Sequence, residues 1–225
     1  KPMARTHAEC LRMIEACRKA QVPLFVAYYR RALPYFLQVK ALLDDNAIGT
    51  VHAVRICLYQ RPMAVDRANP PWRVVPSIAG GGLFFDLASH QLDLLDFLFG
   101  PIEKACGTSA SRLSSYDAED TVSASFQFSS GAIGSGSWCF CASERHDCIE
   151  LIGEKGQIDF STFSFAPITL HGDAQRRFDI APPTHVQQPL LESVVGALRN
   201  KGVCPSTGQS AARTSRIMEQ IIYAQ

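Results

Sequence analysis

The chain reads as an α/β (α+β) protein built on an open, mostly antiparallel sheet with helices on one face. Three observations carry that reading. Residues 121–128, Thr-Val-Ser-Ala-Ser-Phe-Gln-Phe, alternate polar with apolar side chains, as a half-buried antiparallel strand must. Similar short runs recur along the middle of the chain, and Ser129-Ser130-Gly131 and Glu154-Lys155-Gly156 supply turns between them. Pro34 and Pro189 each stand where a helix opens, ahead of apolar-periodic segments.

In chain order, a helix pattern covers 3–20 and a short apolar strand covers Leu24-Phe25-Val26-Ala27-Tyr28. Pro34 opens a helix to Asp45, and Gly49 stops it. Strands are expected at 51–60, 102–111, 120–128, 132–141, 148–153 and 156–160, then at 168–171 and 177–180. Residues 69–77, with three prolines and Trp72, read as an ordered loop without regular structure. Gly131-Ala132-Ile133-Gly134-Ser135-Gly136 reads as a hairpin rather than a phosphate-binding turn, because no helix follows a strand there. Helices close the chain, one from Pro189 to Asn200 and one over 210–223. A sheet with helices on one face leaves its other face needing cover. The Ser/Thr/Gln alternation of 121–127 also fits a solvated outer face and a monomer.

Composition narrows the function classes. With 47% hydrophobic and 19% charged residues in 225, a sizeable core is available. The formal charge is +1 and no run of five like charges occurs, which argues against nucleic acid or an anionic membrane as the main partner. No apolar run approaches the ~18 residues of a membrane span. The eight cysteines are scattered through helix and strand patterns, so reduced thiols in a cytoplasmic protein are the simpler reading. Cys139, Cys141 and Cys148 lack a CxxC pair or a histidine at ligand spacing, so no metal is expected.

The most informative segment is Gly80-Gly81-Gly82-Leu83-Phe84-Phe85-Asp86-Leu87-Ala88-Ser89-His90. Three glycines permit a tight turn and close backbone approach. A helix pattern follows, with Phe84, Ala88, Leu92, Leu95 and Phe99 as its buried stripe. Asp86 and His90 are four apart and share a face that Asp93 and Phe97 continue. A carboxylate and an imidazole so placed can form a general acid/base pair, or simply decorate a helix start.

Taken with its flanks, this segment resembles the Gfo/Idh/MocA oxidoreductases. The chain opens Lys1-Pro2, then shows Tyr29-Arg30-Arg31-Ala32-Leu33-Pro34, Ile48-Gly49, Trp72-Arg73 and the Gly/Asp/His block, in the family's order. The resemblance covers the chain nearly end to end. It implies that 1–30 form the C-terminal remnant of a Rossmann domain and 31–225 a substrate-binding and oligomerisation domain, whose outer sheet face would pack on another subunit in a homodimer or a tetramer of dimers. By the same resemblance the dinucleotide-binding half with its Gly-x-Gly-x-x-Gly turn would precede Lys1, so NAD and NADP stay undistinguished.

The resemblance further implies an NAD(P)-dependent enzyme moving hydride between the cofactor and a secondary alcohol of a sugar, polyol or related small molecule. His90 would exchange the proton, Lys1 would bond the reacting oxygen, and Asp86 would orient His90 or hold a substrate hydroxyl. Lys1, Pro2, Trp72 and Arg73 would meet the cofactor, the arginine as a phosphate fork and the tryptophan against a ring. Arg31 would shape the substrate pocket or pair with a carboxylate, and Asp93 would touch substrate or lie on the surface. Tyr29 and Ala32 stand where relatives often have Asn and Phe, and His185 stands where they have an aromatic near the site. His185 reads as a loop residue. Two alternatives remain from the sequence: a non-catalytic oligomerisation or sensor subunit, and an NAD-assisted lyase or glycosidase.

Overall fold

The computed structural model describes residues 1–112 and 116–223. Helix α1 (His7–Lys19) starts later than the apolar pattern because Thr6 caps it, its Oγ accepting from the Glu9 amide at 3.1 Å. The strand expected at 24–28 forms only one bridge, Phe25 to Thr207, since no other strand lies beside it. A single 3-10 turn, Tyr29–Ala32, carries Arg30 and Arg31. Helix α2 (Pro34–Asp44) has proline in its first turn and buries Tyr35, Phe36, Val39 and Leu42.

Eight strands follow: β1 (Val51–Tyr59), β2 (Ile102–Ala110), β3 (Thr121–Phe128), β4 (Ile133–Cys139), β5 (His146–Gly153), β6 (Gln157–Phe160), β7 (Ile168–His171) and β8 (Arg176–Phe178). They form one sheet in the order β2-β3-β4-β1-β5-β6-β7-β8. Every neighbouring pair is antiparallel except β1 with β4, which run parallel with Val54 opposite Gly134. The alternation of β3 works as expected: Val122, Ala124, Phe126 and Phe128 point into the core and Ser123 and Ser125 face out. Gly134 and Gly136 of β4 leave room for aromatic rings, because a Cβ there would overlap Phe126 and Trp138.

The proline-rich stretch 69–77 is more regular than expected. It forms a 3-10 turn, Trp72–Val74, and a one-turn helix α3 (Pro76–Ala79), with Pro76 in the first turn where its missing N–H is harmless. Gly80 ends α3 at φ 87°, and a Cβ there would lie 2.7 Å from the Arg5 carbonyl. One π-helical turn, Phe84–Ala88, then leads into helix α4 (Ser89–Phe99). Helices α5 (Gln188–Leu198) and α6 (Gly208–Tyr223) complete the chain. No helix among the described residues is long and apolar enough to cross a membrane.

One core cluster joins the inner sheet face to α2, α4 and α6, with Trp138, Phe84, Phe36 and Ile217 all buried in it. Helix α4 sits so deep that its polar residues His90, Gln91, Asp93 and Asp96 are buried with its leucines. Asp93 therefore does not continue a solvated face. The outer sheet face shows Ser123, Ser125 and Ser135 to solvent. All eight cysteines are free, and no cluster of metal-ligating side chains occurs among the described residues.

Candidate active site

The glycine turn and the π-turn deliver Asp86 to a ridge shared with two cations. Lys1 Nζ lies 3.5 Å from Asp86 Oδ1, and Arg73 Nε lies 3.4 Å from Oδ2. Arg73 stacks on Trp72 at 4.6 Å, and the indole is 51% exposed. Pro2 is half-buried behind Lys1. The structure thus gathers Lys1, Asp86, Trp72 and Arg73 at one place.

His90, in α4, is 4% exposed and feels the charge of Lys1. Its ring meets Tyr28, Tyr29 and Phe163 edge-on, at centroid distances of 5.7, 5.6 and 6.2 Å. Nδ1 has no hydrogen-bond partner. Burial pushes the imidazole well below its usual pKa, and the positive charges of Arg30 and then Lys1 push it further. His90 therefore stands neutral at physiological pH. Asp86 forms no hydrogen bond to it: the π-turn puts the carboxylate beside Lys1 and Arg73 instead.

The two adjacent arginines separate completely. Arg31 is sunk in an ion-pair network. Its Nε and Nη2 grip the two oxygens of Asp93 at 2.8 Å each, and Nη2 also reaches Asp96 at 3.0 Å. Arg213 closes on Asp96 at 2.8 and 2.7 Å, and Thr214 donates to Asp93 at 3.4 Å. Burial raises the Asp93 carboxyl to about 6 against the pull of Arg31, which leaves it ionised at neutral pH. Arg31 and Asp93 spend their polar groups on each other, so Arg31 forms the carboxylate pair that was one of its two readings. Asp93, 1% exposed, is not a surface residue.

Arg30 instead faces the histidine side. Its guanidinium lies between Tyr29 at 4.8 Å and Phe163 at 4.5 Å, with Nε donating to the Thr162 carbonyl at 3.0 Å. Trp138 Nε1 donates to Gln91 at 2.7 Å, and Gln91 to Thr162 Oγ at 3.2 Å, tying that carbonyl's residue to the core. Asp147 accepts from the amides of Thr162, Phe163 and Ser164 at 3.0, 2.6 and 3.1 Å, which fixes the loop holding Phe163. Sequence reading passed over Arg30 and Phe163. The doubled arginine marked the place but not which side chain turns toward His90. His185 is exposed in the loop before α5.

Residues 36–159 match the model of the GFO/IDH/MocA C-terminal domain. An oxidoreductase of Formosa agariphila is 34% identical over 97% of this chain and 68% of its own length. A levoglucosan dehydrogenase of Pseudarthrobacter phenanthrenivorans is 28% identical over 72% of this chain and 48% of its own. Among solved structures, the WlbA dehydrogenase of Bordetella pertussis, in complex with NADH and UDP-GlcNAcA, superposes with a TM-score of 0.79. It is 26% identical, with 98% of this chain and 66% of that one covered. The chain thus spans about half to two thirds of the length of these relatives.

Proposed function

The chain belongs to the GFO/IDH/MocA family of oxidoreductases, and from that premise we propose that the whole protein is a nicotinamide-dependent dehydrogenase. It moves a hydride between the cofactor and a secondary alcohol of a sugar, polyol or related small molecule. Relatives named as a levoglucosan dehydrogenase and as a dehydrogenase holding NADH and a nucleotide sugar support this reading. Its main support in this chain is the buried, neutral His90 with a free Nδ1, within the field of Lys1, which pairs with Asp86.

Oxidising an alcohol requires a base for the hydroxyl proton and a donor for the developing alkoxide. A neutral imidazole is already in the form that accepts a proton, so His90 takes it. Lys1 donates to the reacting oxygen, and Asp86 holds the ammonium in place from one side while Arg73 steadies the carboxylate from the other. The residues present fit one end of a dinucleotide: Trp72 offers an exposed indole face and Arg73 a guanidinium beside it. When bound, the nicotinamide supplies the hydride-transfer chemistry. We also propose that the uncovered sheet face joins two copies, as a dimer or a tetramer of dimers.

Turnover of NAD and NADP with a panel of sugars and polyols tests the reading. His90→Ala should lose most of kcat, by about a hundredfold or more, and keep its cofactor affinity. A fully active His90→Ala variant removes His90 as the acid/base.

A further inference from the structure

Arg30 and Arg31 are adjacent, equally buried at 4% exposure, and unlike in one respect. Arg31 has carboxylates on it and Arg30 has none. The acidic groups whose field reaches Arg30 most strongly are Asp147 and Asp93. Both are engaged elsewhere, Asp147 by three backbone amides and Asp93 by Arg31. Tyr29 also steadies the guanidinium but carries no charge. Nη1 is buried and has no hydrogen-bond partner at all.

A charge removed from water is normally paired, because leaving it alone forfeits hydration with nothing in return. Two aromatic faces and the Tyr29 hydroxyl recover part of the loss, while Nη1 itself keeps no acceptor. The Phe163 ring lies under Arg30 and edge-on to His90, so one ring separates the guanidinium from the imidazole. On the far side of Phe163 lies a cavity of about 390 Å³ bordered by Tyr59, Arg145, His146 and Asp147. Arg145 adds a second positive charge with no ion pair among the described residues.

We propose that Arg30 is the binding residue for an anionic group of the substrate, which makes the substrate an acidic sugar or acidic polyol rather than a neutral one. This rests on the dehydrogenase reading above and names the substrate class of the same site. A planar carboxylate suits a guanidinium fork better than a hydroxyl does. His90 then faces a carbinol carbon close to that acidic group.

The test titrates the purified full-length protein with sodium D-glucuronate and with D-glucose, by calorimetry, with and without NADH. These two sugars share a ring and differ in the carboxylate. The wild type should favour glucuronate by about tenfold or more, as for a hydrogen bond to a charged group. Arg30→Met should erase that preference, Arg30→Lys should restore part of it, and both should keep the wild-type affinity for NADH. Equal binding of the two sugars to the wild type overturns the inference, as does a preference that survives Arg30→Met. Loss of NADH affinity in Arg30→Met without a glucuronate preference overturns it too, since the anion would then be the cofactor's. His90→Ala should keep the preference. Hydride turnover on neutral polyols with no glucuronate preference would defeat this inference and leave the dehydrogenase reading standing.

Discussion

Arg30 and Arg31 occupy one 3-10 turn, share a residue type and an exposure, and point into different worlds. Arg31 enters a network in which Asp93, Asp96, Arg213 and Thr214 satisfy one another, and it binds the turn to α4 and α6. Arg30 enters a slot of aromatic rings beside His90 and keeps one nitrogen free. The first arrangement is complete without a ligand, and the second is not. Buried polarity that is fully paired serves the fold, while buried polarity left open is where binding and chemistry are to be sought.

Substitution of the two residues should break this comparison into opposite halves. Arg31→Met strands Asp93 with only Thr214 for a partner and weakens the hold on Asp96, so unfolding free energy should drop by about 3–5 kcal/mol. Chemical denaturation measures it, and a drop under about 1 kcal/mol would show the network to be ornamental. Asp147→Ala should come next, at about 1–3 kcal/mol, because it strips the acceptor from three amides of the Phe163 loop. It should also weaken sugar binding without touching the Arg31 network. Asp86→Asn should change stability by less than about 1 kcal/mol, as expected for partly exposed pairs, while cutting turnover strongly. Arg30→Met should be the smallest for stability, neutral or slightly favourable, because it replaces an uncompensated charge by an apolar chain of similar length. Finding Arg30→Met as costly as Arg31→Met would erase the distinction between the two.

Much of the fold was legible. The alternation of 121–128 announced β3, and the prolines at 34 and 189 marked the first turns of α2 and α5. These signals are local, and local physics suffices for them. What could not be read depended on distant partners. The burial of Asp93 is tolerable only because Arg31, 62 positions away, and Thr214, 121 away, meet it. The π-turn at Phe84–Ala88 shifts the helical phase, so a spacing of four did not bring Asp86 onto His90. The single parallel pair, β1 with β4, has no signature in either strand. For the site, the motif residues around Lys1 and Asp86 converge, whereas Arg30 was hidden by its identical neighbour. Phe163 carries no signal at all beyond being one aromatic in a short loop.

His90 links the comparison to pH. Its folded pKa lies well below that of the unfolded chain, so between the two the unfolded state holds more protons. The group's contribution to stability is complete above about 6.5 and is lost as pH falls below that value. His90→Gln should therefore flatten the acid side of a melting-temperature profile relative to the wild type. In turnover, the acid limb of kcat/KM for alcohol oxidation should fall below the usual histidine range, and Arg30→Met should move it upward by removing a neighbouring positive charge.

The most direct measurement is an NMR titration of the His90 imidazole in the wild type and in Arg30→Met. The ring should stay neutral well below pH 6.5 in the wild type and take its proton at a higher pH in the variant. A midpoint at or above 6.5 that ignores the loss of Arg30 would contradict both a neutral catalytic base and an uncompensated arginine beside it.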